Sequence, residues 1–224
     1  MGSELNEHKS DGSSMTSELL AGRELILASG SRYRARILAE AGLVARTDPP
    51  QVDERKLDPL FEQLGPEGFA LELARLKAGD VAPRHPDAIV IAGDQVGVLT
   101  TRTGPRQLNK RPDEDSATAQ LMSMAGTTHS LVNGIVVIDT AAGSSIEATD
   151  IMKVTMRSFT EAEARSYVRR FEPYDCSGSY RIEDQAEMGP GEGFISKVEG
   201  EHESGVKGLP LPLLRRMIAE LAGL

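Results

Sequence analysis

The side chains with the most capacity for chemistry are the carboxylates of Asp53-Glu54 and Asp94 and the amines of Lys77 and Lys110. Carboxylate oxygens, completed by waters and substrate phosphates, make a typical magnesium site. A carboxylate can also act as a general base. A lysine ammonium is a compact charge suited to a phosphate, and it stabilises charge that develops during phosphoryl attack. Upstream, Ser29-Gly30-Ser31 runs into Arg32, Arg34 and Arg36. A small polar turn ahead of a helix leaves backbone N–H groups and the positive end of the helix dipole facing an anion. The joint reading is phosphate chemistry assisted by a divalent cation. Each feature also has an ordinary reading: a capped strand-to-helix loop with solvated arginines, and surface charges of the kind most Asp, Glu and Lys residues are. Asp94 fits the ordinary reading least, because it follows a wholly apolar run and is expected to be partly buried.

These residues need particular elements to position them. Leu25 to Ala28 reads as a buried strand that breaks at Ser29. A helix follows, with Ser31 as its N-cap and Ile37, Leu38 and Ala41 on one face. Asp53 and Glu54 stand beyond a strand over 45–52, and Asp94 beyond a strand over 88–92. Carboxylates at strand ends face the crevice where α/β proteins bind ligands. Lys77 belongs to a helix over 68–82, and Lys110 to the turn Leu108-Asn-Lys-Arg-Pro112. A helix over 113–125, strands over 130–139 and 151–157, a helix from Thr160 to about Arg170, a short strand over 194–198 and a closing helix over 210–221 complete the pattern. This mixed order predicts an α/β fold built on a mixed sheet, not a regular doubly wound one.

With 224 residues and a net charge of −9, the chain is acidic overall. An acidic surface speaks against nucleic acid and anionic membrane as partners, since both need a basic patch. The single cysteine, Cys176, allows no internal disulfide, which fits a cytoplasmic location. Cys176 reads as a packed residue and not as a nucleophile, and His8, His85, His129 and His202 lack zinc spacing. Residues 1–22 read as a disordered polar leader or cloning remnant, and 23–224 as a single catalytic domain.

In this order the motifs resemble the Maf family of nucleoside triphosphate pyrophosphatases, over about Leu25 to Leu221. The family's Leu-Ala-Ser-x-Ser opening with its arginine stands as Leu27 to Arg34, its Asp-Glu pair as Asp53-Glu54, its helix lysine as Lys77 and its aspartate as Asp94. The Gly-Lys-Pro turn is altered to Asn109-Lys110-Arg111-Pro112, and Ser-Gly-x-x-His to Ala125-Gly126-Thr-Thr-His129. Gly134 and Gly208-Leu-Pro-Leu211 also match. The resemblance implies a mixed, twisted sheet with flanking helices in two lobes around a nucleotide-binding cleft, as in the Maf and inosine-triphosphatase folds. It further implies a Mg2+ or Mn2+ ion and a possible homodimer. The implied reaction splits a nucleoside triphosphate into monophosphate and pyrophosphate. Asp94, Glu54, Lys77 and Lys110 would carry catalysis, with Asp94 and Glu54 also holding the metal, and the choice between base and metal ligand stays open. Ser29, Ser31 and Arg34 would hold the phosphates.

Base choice rests on Gly93-Asp94-Gln95-Val96 and on Glu183, seven residues beyond Cys176. Both side with the branch of the family associated with 7-methyl-GTP, so Gln95 and Glu183 are expected to bind the base. A carboxylate can accept both N–H groups of guanine's Watson–Crick edge, and the cationic methylated base favours an acidic pocket. The alternatives are a dTTP/UTP pyrophosphatase of the other branch and a non-catalytic nucleotide-binding regulator of septum formation. Departures from the pattern are Gly93 in place of serine, Arg111 in place of the proline directly after the family lysine, and a long, glycine-rich stretch over 187–193. That stretch reads as a plain loop, since no lysine follows at Walker spacing.

Overall fold

A long central strand organises the chain. In the computed structural model, which describes residues 22–189 and 191–223, this strand is β3 (Ala88–Thr101). The polar leader lies outside the described residues except for residue 22. The strands before β3 are β1 (Glu24–Leu27) and β2 (Ala45–Thr47); after it come β4 (Gly104–Leu108), β5 (Thr128–Asp139), β6 (Ser144–Met156) and β7 (Ile195–Glu199). They form one seven-stranded sheet in the order β2-β1-β3-β5-β6-β7, with β4 paired to β3 as well. β1 runs parallel to β2 and β3, and the remaining pairs are antiparallel. The helices are α1 (Arg32–Glu40), α2 (Phe61–Val81), α3 (Glu114–Met124), α4 (Glu161–Phe171) and α5 (Leu211–Leu221). This is the expected mixed α/β architecture. No helix among the described residues is long and apolar enough to cross a membrane.

The apolar run of β3 is buried on both faces, and the pleat sends alternate residues to different helices. Val90 and Ala92 pack with Ile26, Ala28 and Val136 against Ala74, Ala78 and Val81 of α2. Ile89 and Ile91 pack with Leu25, Leu27 and Ile135 against Ile37 and Leu38 of α1 and Leu214 and Ile218 of α5. A separate core joins α3 and α4 to the far ends of β5 and β6, around Leu121, Met124, Tyr167, Tyr180 and Phe194. The cores define two lobes: α1, α2 and α5 on the β1 side, α3 and α4 on the other.

Two strand boundaries differ from the sequence reading. β2 stops at Thr47 instead of continuing to Val52, because Pro49 and Pro50 cannot donate to a ladder. Asp53 instead caps a 3₁₀ helix over Glu54–Leu60, its side chain accepting from the Arg55 amide. β3 does not end near Ala92 but continues to Thr101, because β5 pairs with it without interruption from Ile89↔Asp139 to Val98↔Ser130. Asp94 therefore lies in the middle of a strand. The feature resembling a strand end is on the other edge. There β1 covers β3 only to Ile91, and β4 resumes only at Gly97. Between them, roughly 20 Å of β3 has no neighbouring strand on that side.

α2 lies unusually close to the sheet. Gly134 faces Asp94 across the β3–β5 ladder. A Cβ there would land on the Ala70 carbonyl and the Leu71 amide nitrogen of α2. Ala70, Ala74 and Ala78 keep the rest of that helix face small and buried. Gly134→Ala is therefore expected to lift α2 and to destabilise the fold by about 1–3 kcal/mol. Urea denaturation reads the stability loss, and a parent-like unfolding midpoint would show that the close approach is dispensable.

Candidate active site

The bare stretch of β3 is where the predicted residues converge. Asp94 follows the even-numbered residues of β3 onto the α2 face. Lys77, one turn beyond Ala74, meets it there, with Nζ 2.5 Å from Asp94 Oδ1. The same ammonium lies 3.0 Å from Glu54 Oε2. Only 8% of the Lys77 side chain and 13% of Asp94 is exposed, against 45% for Glu54. One buried cation thus joins a fixed carboxylate to an accessible one.

The turn after β1 reaches the same gap. Ser29 is buried, and its Oγ accepts from the Ser31 amide (3.1 Å) and from Arg34 Nη1 (3.4 Å). Ser31 caps α1 as predicted, accepting from the Arg34 amide. The amides of Gly30, Arg32 and Tyr33 take no partner among the described residues, so the turn presents free donors beside a helix N-terminus. Arg34 is half-buried, and its Nε donates to Gly208 O at 2.9 Å. Burial lowers its pKa, while Asp94 and Glu54 act in the opposite direction, which places their charges near the guanidinium.

Lys110 approaches from the opposite end. β4 runs antiparallel to β3 and finishes with Leu108 opposite Gly97, so its exit heads back toward Asp94. Lys110 is exposed two residues later, with no hydrogen bond among the described residues. The ends of β1 and β4 therefore face each other across the gap, with the Lys77 cluster on its floor.

The residues expected to meet the base are placed differently. Gln95, one step along the pleat from Asp94, turns to the other face. Its Nε2 donates to Asn133 Oδ1 (3.1 Å), Gly205 O (2.9 Å) and Val206 O (3.1 Å). Both amide donors are thus held by the protein, and its carbonyl oxygen is the part left for a ligand. Asn133, fully buried, also donates to Gly205 O, fixing the turn that ends at Gly208. Sequence reasoning missed Asn133, whose polarity inside the apolar β5 run was the available signal. Glu183 begins a 3₁₀ turn and is exposed. Arg36 of α1, its pKa raised chiefly by a hydrogen bond to Glu40, also feels the Glu183 charge.

That turn is anchored from beneath. Tyr180 OH lies 2.7 Å from His129 Nε2, both side chains being buried. Burial lowers the His129 pKa from 6.5 to about 4. Asp184 is buried against Tyr167, whose hydroxyl donates to it at 2.5 Å. Cys176 donates to Asp175, and burial raises its thiol to about 12, which keeps it protonated and unreactive. At the end of the glycine-rich stretch, Arg157 donates to Glu192 O and Gly193 O.

For a divalent cation, Asp94 Oδ2 and Glu54 Oε1 remain without a hydrogen bond among the described residues. Two hard oxygen ligands fit Mg2+ or Mn2+ when substrate phosphates complete the shell. No cluster of three or more His, Cys, Asp or Glu side chains among the described residues could hold a metal alone.

Comparison with known proteins accords with this geometry. Residues 24–221 match the family described as Maf-like protein. The 7-methyl-GTP pyrophosphatase of Nitrosococcus oceani is 34% identical over 196 residues, covering 88% of this chain and 92% of the relative. That of Bdellovibrio bacteriovorus is 36% identical, covering 88% and 96%. The dTTP/UTP pyrophosphatase of Deinococcus radiodurans is 38% identical, covering 87% and 91%.

Two outcomes follow from these burials. Lys77→Met leaves Asp94 without its cation and is expected to cost about 3–5 kcal/mol, much of it regained in the Lys77→Met, Asp94→Asn double variant. Denaturant titration of the parent, both single variants and the double variant checks this, and a double-variant loss equal to the sum of the two single losses would show that the pair is not coupled. His129 binds a proton in the unfolded chain below pH 6.5 but in the folded one only near 4. Stability is therefore expected to fall as pH drops through that window, by up to about 3 kcal/mol from this residue. His129→Gln should flatten the dependence; an unchanged slope would mean that other groups dominate.

Proposed function

The chain belongs to the Maf family, and on that premise we propose that it hydrolyses 7-methyl-GTP to 7-methyl-GMP and pyrophosphate. The observation that carries the reading is the open stretch of β3. There, free turn amides, Arg34 and Lys110 surround a buried lysine that bridges two carboxylates. The turn amides and Arg34 bind phosphate oxygens, and Lys110 neutralises charge on the leaving pyrophosphate. Lys77 holds Asp94 in place. Asp94 and Glu54 together orient the attacking water and accept its proton as it adds to the α-phosphorus and the α–β anhydride bond breaks. A divalent cation held by the free oxygens of Asp94 and Glu54 would supply further charge neutralisation on the phosphates.

The base assignment is supported by the names of the Nitrosococcus and Bdellovibrio relatives. A second reading, dTTP/UTP hydrolysis, is favoured by the Deinococcus relative and by the engagement of both Gln95 amide donors inside the protein.

Pyrophosphate release from 7-methyl-GTP, GTP, dTTP and UTP, with and without Mg2+ or Mn2+, tests the proposal. The highest kcat/KM is expected for 7-methyl-GTP with a divalent ion, whereas faster dTTP or UTP hydrolysis would select the second reading. Asp94→Asn is expected to lower turnover by about 10²–10⁴-fold. Glu183→Gln should lower kcat/KM for 7-methyl-GTP by about ten- to a hundred-fold and spare the pyrimidine nucleotides. Equal losses on all four substrates would remove Glu183 from base recognition.

A further inference from the structure

We propose that Gln120 is a positioning residue that ties the phosphate end of the site to the base end, so that Lys110 and Glu183 are presented in one fixed relation. The roles given to Lys110 and Glu183 rest on the pyrophosphatase reading; the tie itself rests on the geometry alone.

Gln120 projects from α3 and is only 4% exposed. Its amide makes contacts with two segments distant in sequence. Nε2 donates to Asn109 O at 2.8 Å and to Ser179 Oγ at 2.9 Å. Oε1 accepts from Arg111 Nε at 2.9 Å. A glutamine has two amide donors and one carbonyl acceptor, and all three are engaged. Asn109 and Arg111 flank Lys110 on both sides, so Gln120 holds the lysine's own turn at its base. Arg111 is also where this chain departs from the family's Lys-Pro pattern, and its side chain goes to Gln120.

The other arm reaches a turn that needs holding. Ser179 has a φ of 58°, a left-handed conformation that costs energy for a residue with a side chain. Its side chain is fully buried, and the chain continues through Tyr180 to Glu183. Without the Gln120 contact, Ser179 would carry both backbone strain and a buried hydroxyl lacking this partner. Simple packing would need only an apolar side chain at position 120, of the kind its neighbours Leu121 and Met124 supply. A three-way polar contact between two site-bearing turns instead makes displacement of one turn felt by the other.

Hydrogen–deuterium exchange of the full chain, joined to kinetics, tests the tie. Ser179→Ala removes one arm with little change of shape. It is expected to speed exchange in 176–183 by about threefold to tenfold and, through Gln120, to weaken binding of inorganic tripolyphosphate. Gln120→Glu keeps the Ser179 and Arg111 arms but opposes an oxygen to Asn109 O. It should weaken binding of inorganic tripolyphosphate, which probes the phosphate end alone. In both variants the kcat/KM ratio of 7-methyl-GTP to dTTP should move toward unity, a shift that a general loss of stability would not produce. If Ser179→Ala speeds exchange in 176–183 and leaves tripolyphosphate binding at the parent value, the tie is overturned. If the parent releases no pyrophosphate from any nucleotide, the pyrophosphatase reading fails separately, and exchange with tripolyphosphate binding still decides the role of Gln120.

Discussion

The site depends on how closely one helix can approach one strand. α2 rests its backbone on Gly134, and Gly134 faces Asp94. That contact sets the height of Lys77 above the sheet and so the 2.5 Å separation from Asp94. An ion pair so little exposed is held by its surroundings more than it holds them, since desolvation offsets most of the attraction. The alanines of α2 and the glycine of β5 are therefore as much a part of the chemistry as the charges. They place an ammonium where it must serve Asp94 and Glu54 at once.

The pleat of β3 then divides labour between two adjacent residues. Asp94 is delivered to the α2 face and Gln95 to the opposite one. Gln95 and Asn133 hold the turn leading to Gly208, whose carbonyl orients Arg34. One dipeptide thus supplies a reactive carboxylate on one side of the sheet and, on the other, support for the arginine that faces it. A one-residue slip of β3 would exchange these roles and destroy both, and the uninterrupted ladder with β5 guards against it.

Much of this was legible in the residues because the phosphate end is built from local signals. Ser31 as a cap, Lys77 on a helix, Asp94 beside an apolar run and the mixed sheet all follow from periodicity and capping. What misled was strand length. Pro49 and Pro50 cut β2 short, and the pairing that carries β3 past Asp94 lies in β5, far along the chain. A strand's end is set by its partners, so Asp94 looked terminal when it was only uncovered on one side. Asn133 showed only as a polar residue inside an apolar run, and the role of neither it nor Gln120 could be read for the same reason: a buried amide declares its purpose only through its partners in the fold.

The two ends of the site also differ in mechanical character. The phosphate end is anchored on the sheet and on α1 and α2, where the surrounding side chains are almost wholly buried. The end proposed to meet the base is carried by short 3₁₀ turns, with left-handed Gly178 and Ser179 just ahead of Tyr180. Rigid placement suits the hydrolytic step, where small displacements of charge are costly. Turns supported by a few polar contacts suit base selection, because they can be rebuilt without disturbing the sheet. That division gives a physical reason why relatives sharing about a third of this sequence carry the names of both 7-methyl-GTP and dTTP/UTP pyrophosphatases. A common hydrolytic floor can accept different nucleobases when the wall that meets the base is made of loops.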